Sequence, residues 1–221
     1  MARKPRTRQR NAKGQGDQLR SELIEAAIRL LERLGPEDPF SLRAVAAEAK
    51  VSAPSVYLHF DDRDALFMAV LEKLFSEQIE DRSKAEERAA LQGGGAWQRL
   101  MARSLATVDF AMGHSGHYKV LYEGRVVARM ADPLSMAFGR PLLIRSTELV
   151  REIVAENPVD RITQDPERLS LLLWSGIHGV VSLQINKPTL KWPDAKELVE
   201  QMAIALIRPA PNQLRSQTGP S

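Results

Sequence analysis

At 221 residues, with 43% apolar and 27% charged side chains, the chain is long and apolar enough for two small packed domains, which excludes a disordered polymer. No cysteine is present, so disulfides, thiol catalysis and cysteine-ligated zinc are excluded. The net charge of +3 is unevenly spread: residues 1–20 carry seven basic side chains against Asp17 alone, a net +6, which leaves −3 for the remainder.

Residues 1–16 read as a disordered basic arm. A first helix is expected from about Asp17, as its cap, to Leu34, with Leu23, Ile24, Ala27, Leu30, Leu31 and Leu34 as its buried stripe and Gly35-Pro36 as its stop. The stretch from Ser41 to Phe60, SLRAVAAEAKVSAPSVYLHF, then reads as two short helices at a fixed angle. Ser41 can cap a helix whose apolar positions Leu42, Val45, Ala46 and Ala49 recur at helical spacing, with Arg43 and Glu48 on the wet side. The small Ala46, Ala47 and Ala49 let a second helix approach across a tight turn, beneath which Val51 forms an apolar plug. Ser52 is the expected cap of that second helix, which runs from Ala53 to about Leu58 with Pro54 in its first turn and Val56 as its inward anchor.

This pattern closely resembles the N-terminal DNA-binding domain of the TetR family of bacterial transcription regulators. The resemblance runs from DQLRSELIEAAIRLLERLG through the helix-turn-helix into YLHFDDRDALFMAVLEKL, about a third of the chain. Lys50 stands where the family often places Gly in a left-handed turn, at a cost of about 1 kcal/mol. The resemblance implies that Tyr57 and His59 hold phosphates, that Arg63 does so from the start of the next helix, and that Ser52, Ala53, Pro54 and Ser55 face bases with help from Ser41 and Arg43. Beside such a head, Arg6, Arg8 and Arg10 of the arm are placed to lie along phosphates or enter a minor groove. The short helix offers no Arg, Gln or Asn for bidentate base contact, so direct readout is expected to be thin, with Arg43 and DNA shape supplying much of the specificity.

Beyond the head, a longer helix begins near Asp62 and runs through Leu66, Val70, Leu71, Leu74, Phe75 and Ile79, and Gln92-Gly93-Gly94-Gly95 is the strongest loop signal. Further helices are expected over 97–112, 117–124, 133–156, 166–186 and 193–207, several opened by Asp-Pro or Pro-Asp, and nothing alternates like a strand. The expected fold is all-α: a helix-turn-helix domain over 17–81, a helical ligand-binding and dimerisation domain over 82–208, and a disordered tail over 209–221.

The 166–186 segment is apolar on two sides. Leu169, Leu172, Leu173, Gly176, Val180 and Leu183 form one stripe, and Trp174, His178, Val181 and Ile185 form another. One stripe is expected to meet a second copy of the chain, joined by Leu198, Val199, Met202 and Leu206 of the next helix. WSGIHGVVSLQ resembles the C-terminal ligand-binding type of the same family, whose last two helices commonly form a four-helix dimer interface. A two-fold pair of heads would read grooves about 34–36 Å apart, and hence a palindromic operator. The family's second domain implies a small-molecule effector. Candidate pocket groups are Trp97, Met101, Phe110, His114, His117, Tyr118, Tyr122, Phe138, Trp174 and His178, and the scattered charges point to an uncharged or weakly polar ligand.

Two other readings stand beside this one. A metal-dependent enzyme would use His114, His117, Asp109 and Glu123, joined by His178, but His-x-x-His without a fixed carboxylate spacing does not define such a site. No enzyme activity, metal or cofactor is therefore expected. A sequence-tolerant DNA-coating protein without a ligand would bind chiefly through the arm, with a steep salt slope. The N-terminus lacks the apolar core of a signal peptide and no apolar run approaches the roughly twenty residues that span a bilayer. The expectation is a cytoplasmic protein with no membrane contact.

Overall fold

The computed structural model describes residues 15–34, 40–123, 133–156 and 165–214, and among them every regular element is a helix. The chain divides into two compact units between Val70 and Leu71. The first contains α1 (Gln15–Leu34), α2 (Leu42–Glu48), α3 (Ala53–Tyr57) and the start of α4 (Arg63–Leu91). Asp17 falls in the first turn of α1, where a carboxylate still complements the helix N-terminus. Gly35-Pro36 and residues 1–14 of the basic arm lie outside the described residues, while Gln15 and Gly16, expected in the arm, already belong to α1.

The first unit is held by the side chains that periodicity singles out. Leu23, Ile24, Ala27, Leu30 and Leu31 of α1 are buried, as are Val45 and Ala46 of α2 and Val56 of α3. Burying each of the larger of these contributes about 1.5–3 kcal/mol. Ser41 caps α2, its Oγ accepting from the Ala44 N–H at 3.1 Å. Ser52 occupies the cap position of α3 without bonding a backbone N–H; its Oγ sits 2.7 Å from the Ser55 Oγ instead. Glu48 at the end of α2 accepts from both Arg33 and Arg29 of α1, and these hydrogen bonds, Arg33's the larger, hold its carboxyl down at about 2. Asp62 caps α4 through the Ala65 N–H at 2.8 Å.

Lys50 adopts φ 56°, the left-handed conformation that the tight turn requires. Lys50→Gly should therefore raise the unfolding free energy of the first unit by about 0.5–1 kcal/mol, read as a higher urea midpoint. A lower midpoint would mean that the Lys50 side chain contributes more than its backbone costs.

The second unit contains the rest of α4 with α5 (Ala96–Gly113), α6 (Ser115–Tyr122), α7 (Pro133–Glu156), α8 (Pro166–Asn186), α9 (Ala195–Ile207) and α10 (Pro211–Leu214). Its core begins early on α4 because Phe75 meets the Tyr122 ring edge-on at 6.0 Å. α5 is the central helix, packed against α7, α8 and α9. Asp165 and Asp194 cap α8 and α9, each accepting two backbone N–H groups, so α9 begins at Ala195 with Pro193 just outside it. Within the segment read as a tail, α10 is tied down: Gln213 donates to the Ile153 carbonyl and to Glu156, and its own carbonyl accepts from Gln98.

α8 sorts its two apolar sides differently from the expected stripes. Ser170, Leu173, Ile177 and Val181 face inward, as do Ala195, Val199, Ala203 and Ile207 of α9. Leu173 and Val199, expected at an interface between copies, are thus core residues of their own unit. Gly176 likewise serves an internal approach, since a Cβ there would lie 2.2 Å from the Met202 Sδ of the same chain. Leu169, Val180, Leu198, Met202 and Leu206 are half-buried. Leu171, Leu172, Leu183 and Ile204 remain exposed, and a Cβ at Gly179 would meet nothing within 4 Å. Contrary to expectation, α8 is long and apolar enough to cross a membrane by length and composition, with mean hydropathy 1.2. Its inward face is nevertheless occupied by α5, α7 and α9, as for a core helix of a packed helical unit.

Candidate nucleic-acid interface and effector cavity

In the first unit, α2 and α3 present one polar surface. Ser41, Arg43, Ser52, Pro54 and Tyr57 are exposed, Ala53, Ser55 and His59 are half-buried, and Tyr57 is 55% open. Arg43 is exposed and pairs with no side chain among the described residues. Arg63 at the start of α4 is also exposed, though its guanidinium is bound to the Asp64 carboxylate at 2.9 Å. The Ser52–Ser55 bond limits what this surface can donate. Whichever hydroxyl donates, only one hydrogen is left for a base or phosphate, so two serines offer a single donor. Arg6, Arg8 and Arg10 lie outside the described residues.

In the second unit, the interior carries an unusual polar layer between α4, α5, α7 and α8. Glu86 accepts from Arg99 at 2.8 Å, Arg103 at 3.0 Å and Arg145 at 2.6 Å. Burial alone would push its carboxyl up, but the Arg145 and Arg99 hydrogen bonds and the charges around it hold it at about 2. One turn earlier on α4, Arg82 is 5% exposed and donates to the Gln78 Oε1 at 3.3 Å. That oxygen also accepts from the Tyr122 hydroxyl at 2.9 Å. Burial pulls Arg82 down to about 10, so it stays charged at neutral pH. The His178 Nδ1 lies 3.0 Å from the Tyr118 hydroxyl, and burial followed by the charge of Arg82 lowers the imidazole to about 4, so it is neutral there. These groups border a cavity of about 20 Å³, lined by Arg82, Arg103 and His178 together with Leu173, Trp174 and Ile177.

Residues 23–70 match the model described as bacterial regulatory proteins, tetR family, and residues 100–206 match the tetracyclin repressor-like C-terminal domain. The chain belongs to the TetR family. TetR proteins are non-enzymatic transcription regulators. A curated relative, the HTH-type nicotine-responsive transcriptional repressor HdnoR of Paenarthrobacter nicotinovorans, is 40% identical over 60 residues, 27% of this chain and 30% of that protein. The chain thus spans less than a third of that relative. A solved protein of unknown function from Rhodococcus sp. RHA1 is 27% identical with a TM-score of 0.70, covering 86% of this chain and 93% of the other. SmeT, the repressor of the Stenotrophomonas maltophilia efflux pump SmeDEF, shares the fold at 17% identity and a TM-score of 0.68, over 91% and 96% of the two chains.

Against this TetR frame, the ten expected pocket residues do not converge. Tyr118 and His178 stack at 5.6 Å beside Tyr122, and Trp174 meets the His178 ring at 4.7 Å, so these four form one cluster. Only Trp174 and His178 of the ten line the cavity above. Phe110, His114 and His117 stack together elsewhere, beside an open surface hollow, and Trp97 and Met101 are core side chains. Phe138 is half-buried on α7. The residues of the enzyme reading separate as well: Asp109 bonds Lys196, Glu123 accepts from Ser182 and Asn186, and no group of His and carboxylates among the described residues could hold a metal. Sequence reasoning missed Arg82, Arg103 and Glu86, which sit in charged stretches that periodicity reads as wet helix faces.

Proposed function

We propose that the chain is a repressor that binds an approximately palindromic operator as a homodimer in the cytoplasm and is released by a small molecule held in the second unit. The carrying observation is the exposed α2–α3 surface, where Arg43, Ser52, Pro54 and Tyr57 stand clear of the packed core. Two further observations support it. Leu172 and Leu183 share an exposed face of α8, and Leu171 and Ile204 are exposed as well, apolar side chains that a second copy would bury. The curated relative that matches the head is by name a repressor responsive to a small molecule. Because α4 begins in the first unit and ends in the second, it can carry a coupling of about 1–3 kcal/mol between effector and operator. Fluorescence anisotropy with duplexes drawn from the DNA flanking the coding region tests the reading: a palindrome bound at least tenfold more tightly than scrambled DNA supports it, and equal binding to every duplex overturns it.

Arg43 is the side chain best suited to base reading on this surface. Arg43→Ala should cost about 1–3 kcal/mol on the preferred operator and visibly less on variants changed at the base pair it reads. An equal loss on every variant would mean that Arg43 only holds the backbone.

A further inference from the structure

The polar layer of the second unit has buried nitrogens without partners. The Arg82 Nε, the Arg103 Nε, the His178 Nε2 and the Gln78 Nε2 are all buried and bond to nothing. Such groups are costly, and native interiors rarely leave several together. Charge adds to the imbalance. Glu86 serves Arg99, Arg103 and Arg145, with Glu148 and Glu152 helping Arg145 and Arg99, yet none of these carboxylates reaches Arg82. Arg82 has only the neutral Gln78 oxygen, shared with Tyr122. A guanidinium that is 5% exposed therefore faces a cavity with no counter-charge among the described residues.

We infer that this cavity takes the carboxylate of a small organic acid, seated between Arg82 and His178, and that such an acid is the effector. The second half rests on the effector reading above; the first does not. A carboxylate supplies both what Arg82 lacks, a charge, and what the buried N–H groups lack, an acceptor. The Tyr118 hydroxyl has one hydrogen and two acceptors in reach, the His178 Nδ1 at 3.0 Å and the His178 carbonyl at 3.3 Å; when it goes to Nδ1, the nearer, Nε2 carries the ring proton and is a donor toward the cavity. A water could accept from Arg82 but would leave its charge uncompensated. The cavity of about 20 Å³ has room for one or two water-sized groups, so it would take the tip of a ligand and not its body. Trp174 lines it while remaining 39% exposed, so it marks the mouth, and an apolar body would rest there beyond Leu173 and Ile177. The inferred ligand is thus an acid with an apolar body, not the weakly polar molecule that scattered sequence charges suggest.

The test uses the full chain and needs no DNA. In chloride-free buffer, benzoate, phenylacetate and hexanoate are titrated beside their neutral amides and inorganic phosphate, with melting temperature and tryptophan fluorescence as readouts. At least one acid should raise the melting temperature and change the fluorescence where its amide does neither. Arg82→Met should weaken that acid by about 10–100-fold, the worth of a charge-assisted hydrogen bond. Without ligand it should melt no lower than the parent, because an uncompensated buried charge has been replaced by an apolar chain. If the variant fails to fold, the acid-against-amide comparison on the parent protein still decides. Amides binding as well as acids, no acid acting at all, or phosphate acting as well as the best acid would overturn the inference. An acid that binds but leaves operator affinity unchanged would overturn its role as effector and leave the site standing.

Discussion

Replacing Glu86 with Ala should be among the most damaging single changes in the second unit, lowering its unfolding free energy by about 2–3 kcal/mol at neutral pH. The reason is the company it keeps. Arg103, 4% exposed, has Glu86 as its carboxylate, so the substitution would strand a second buried guanidinium beside Arg82 and leave Arg145 with Glu148 alone. The figure sits below that for a fully buried pair because Arg99 and Arg145 are about a quarter to a third open to water, where screening weakens each bridge. The pH dependence has a definite sign. The Glu86 carboxyl is held at about 2, below the ordinary 4.5, so its contribution is fully present above pH 4.5 and is lost as the pH falls toward 2. Urea unfolding of parent and variant should therefore diverge at pH 7 and converge near pH 2–3. A gap of the same size at both pH values would show that lost packing, not charge, carries the effect.

The head was legible in the sequence because each of its signals is local. Ser41 three residues before the Ala44 N–H, the small buried Ala46, and a turn that forces Lys50 to positive φ need no knowledge of a distant partner, whereas Ala47, expected beside Ala46, is exposed. Ser52 shows the limit even there. Its place in the chain marks a cap, but Ser55 one turn later competes for the same hydroxyl. Legibility failed more broadly in the second unit, where meaning depends on which helix lies opposite. Period alone cannot tell Leu172 from Leu173, one exposed and one core. Gly176 announces a close approach without saying that the approaching atom is the Met202 sulfur of the same chain. Arg82 and Glu86 read as solvated charges, since nothing in α4 reveals that α5, α7 and α8 enclose them.

The largest functional loss should follow from the outer strip of α8. Leu172 and Leu183 are eleven residues apart, close to three full turns, so they share one face, and both are about half exposed with no core role. Carboxylates there would be solvated in a lone chain but buried and mutually repelling between two copies. Leu172→Glu with Leu183→Glu should thus give a protein that melts near the parent temperature when compared at high dilution, yet elutes at half the mass. Operator affinity should then fall by about 10²–10⁴-fold, because each head loses the effective concentration that its tethered twin supplies. The loss should be confined to palindromes, with half-site duplexes bound as before. A variant that still elutes as a dimer and grips the palindrome would place the pairing face elsewhere on the second unit. The coupling through α4 would then have to be argued from a different geometry, since what an effector changes between two heads depends on which helices hold them together.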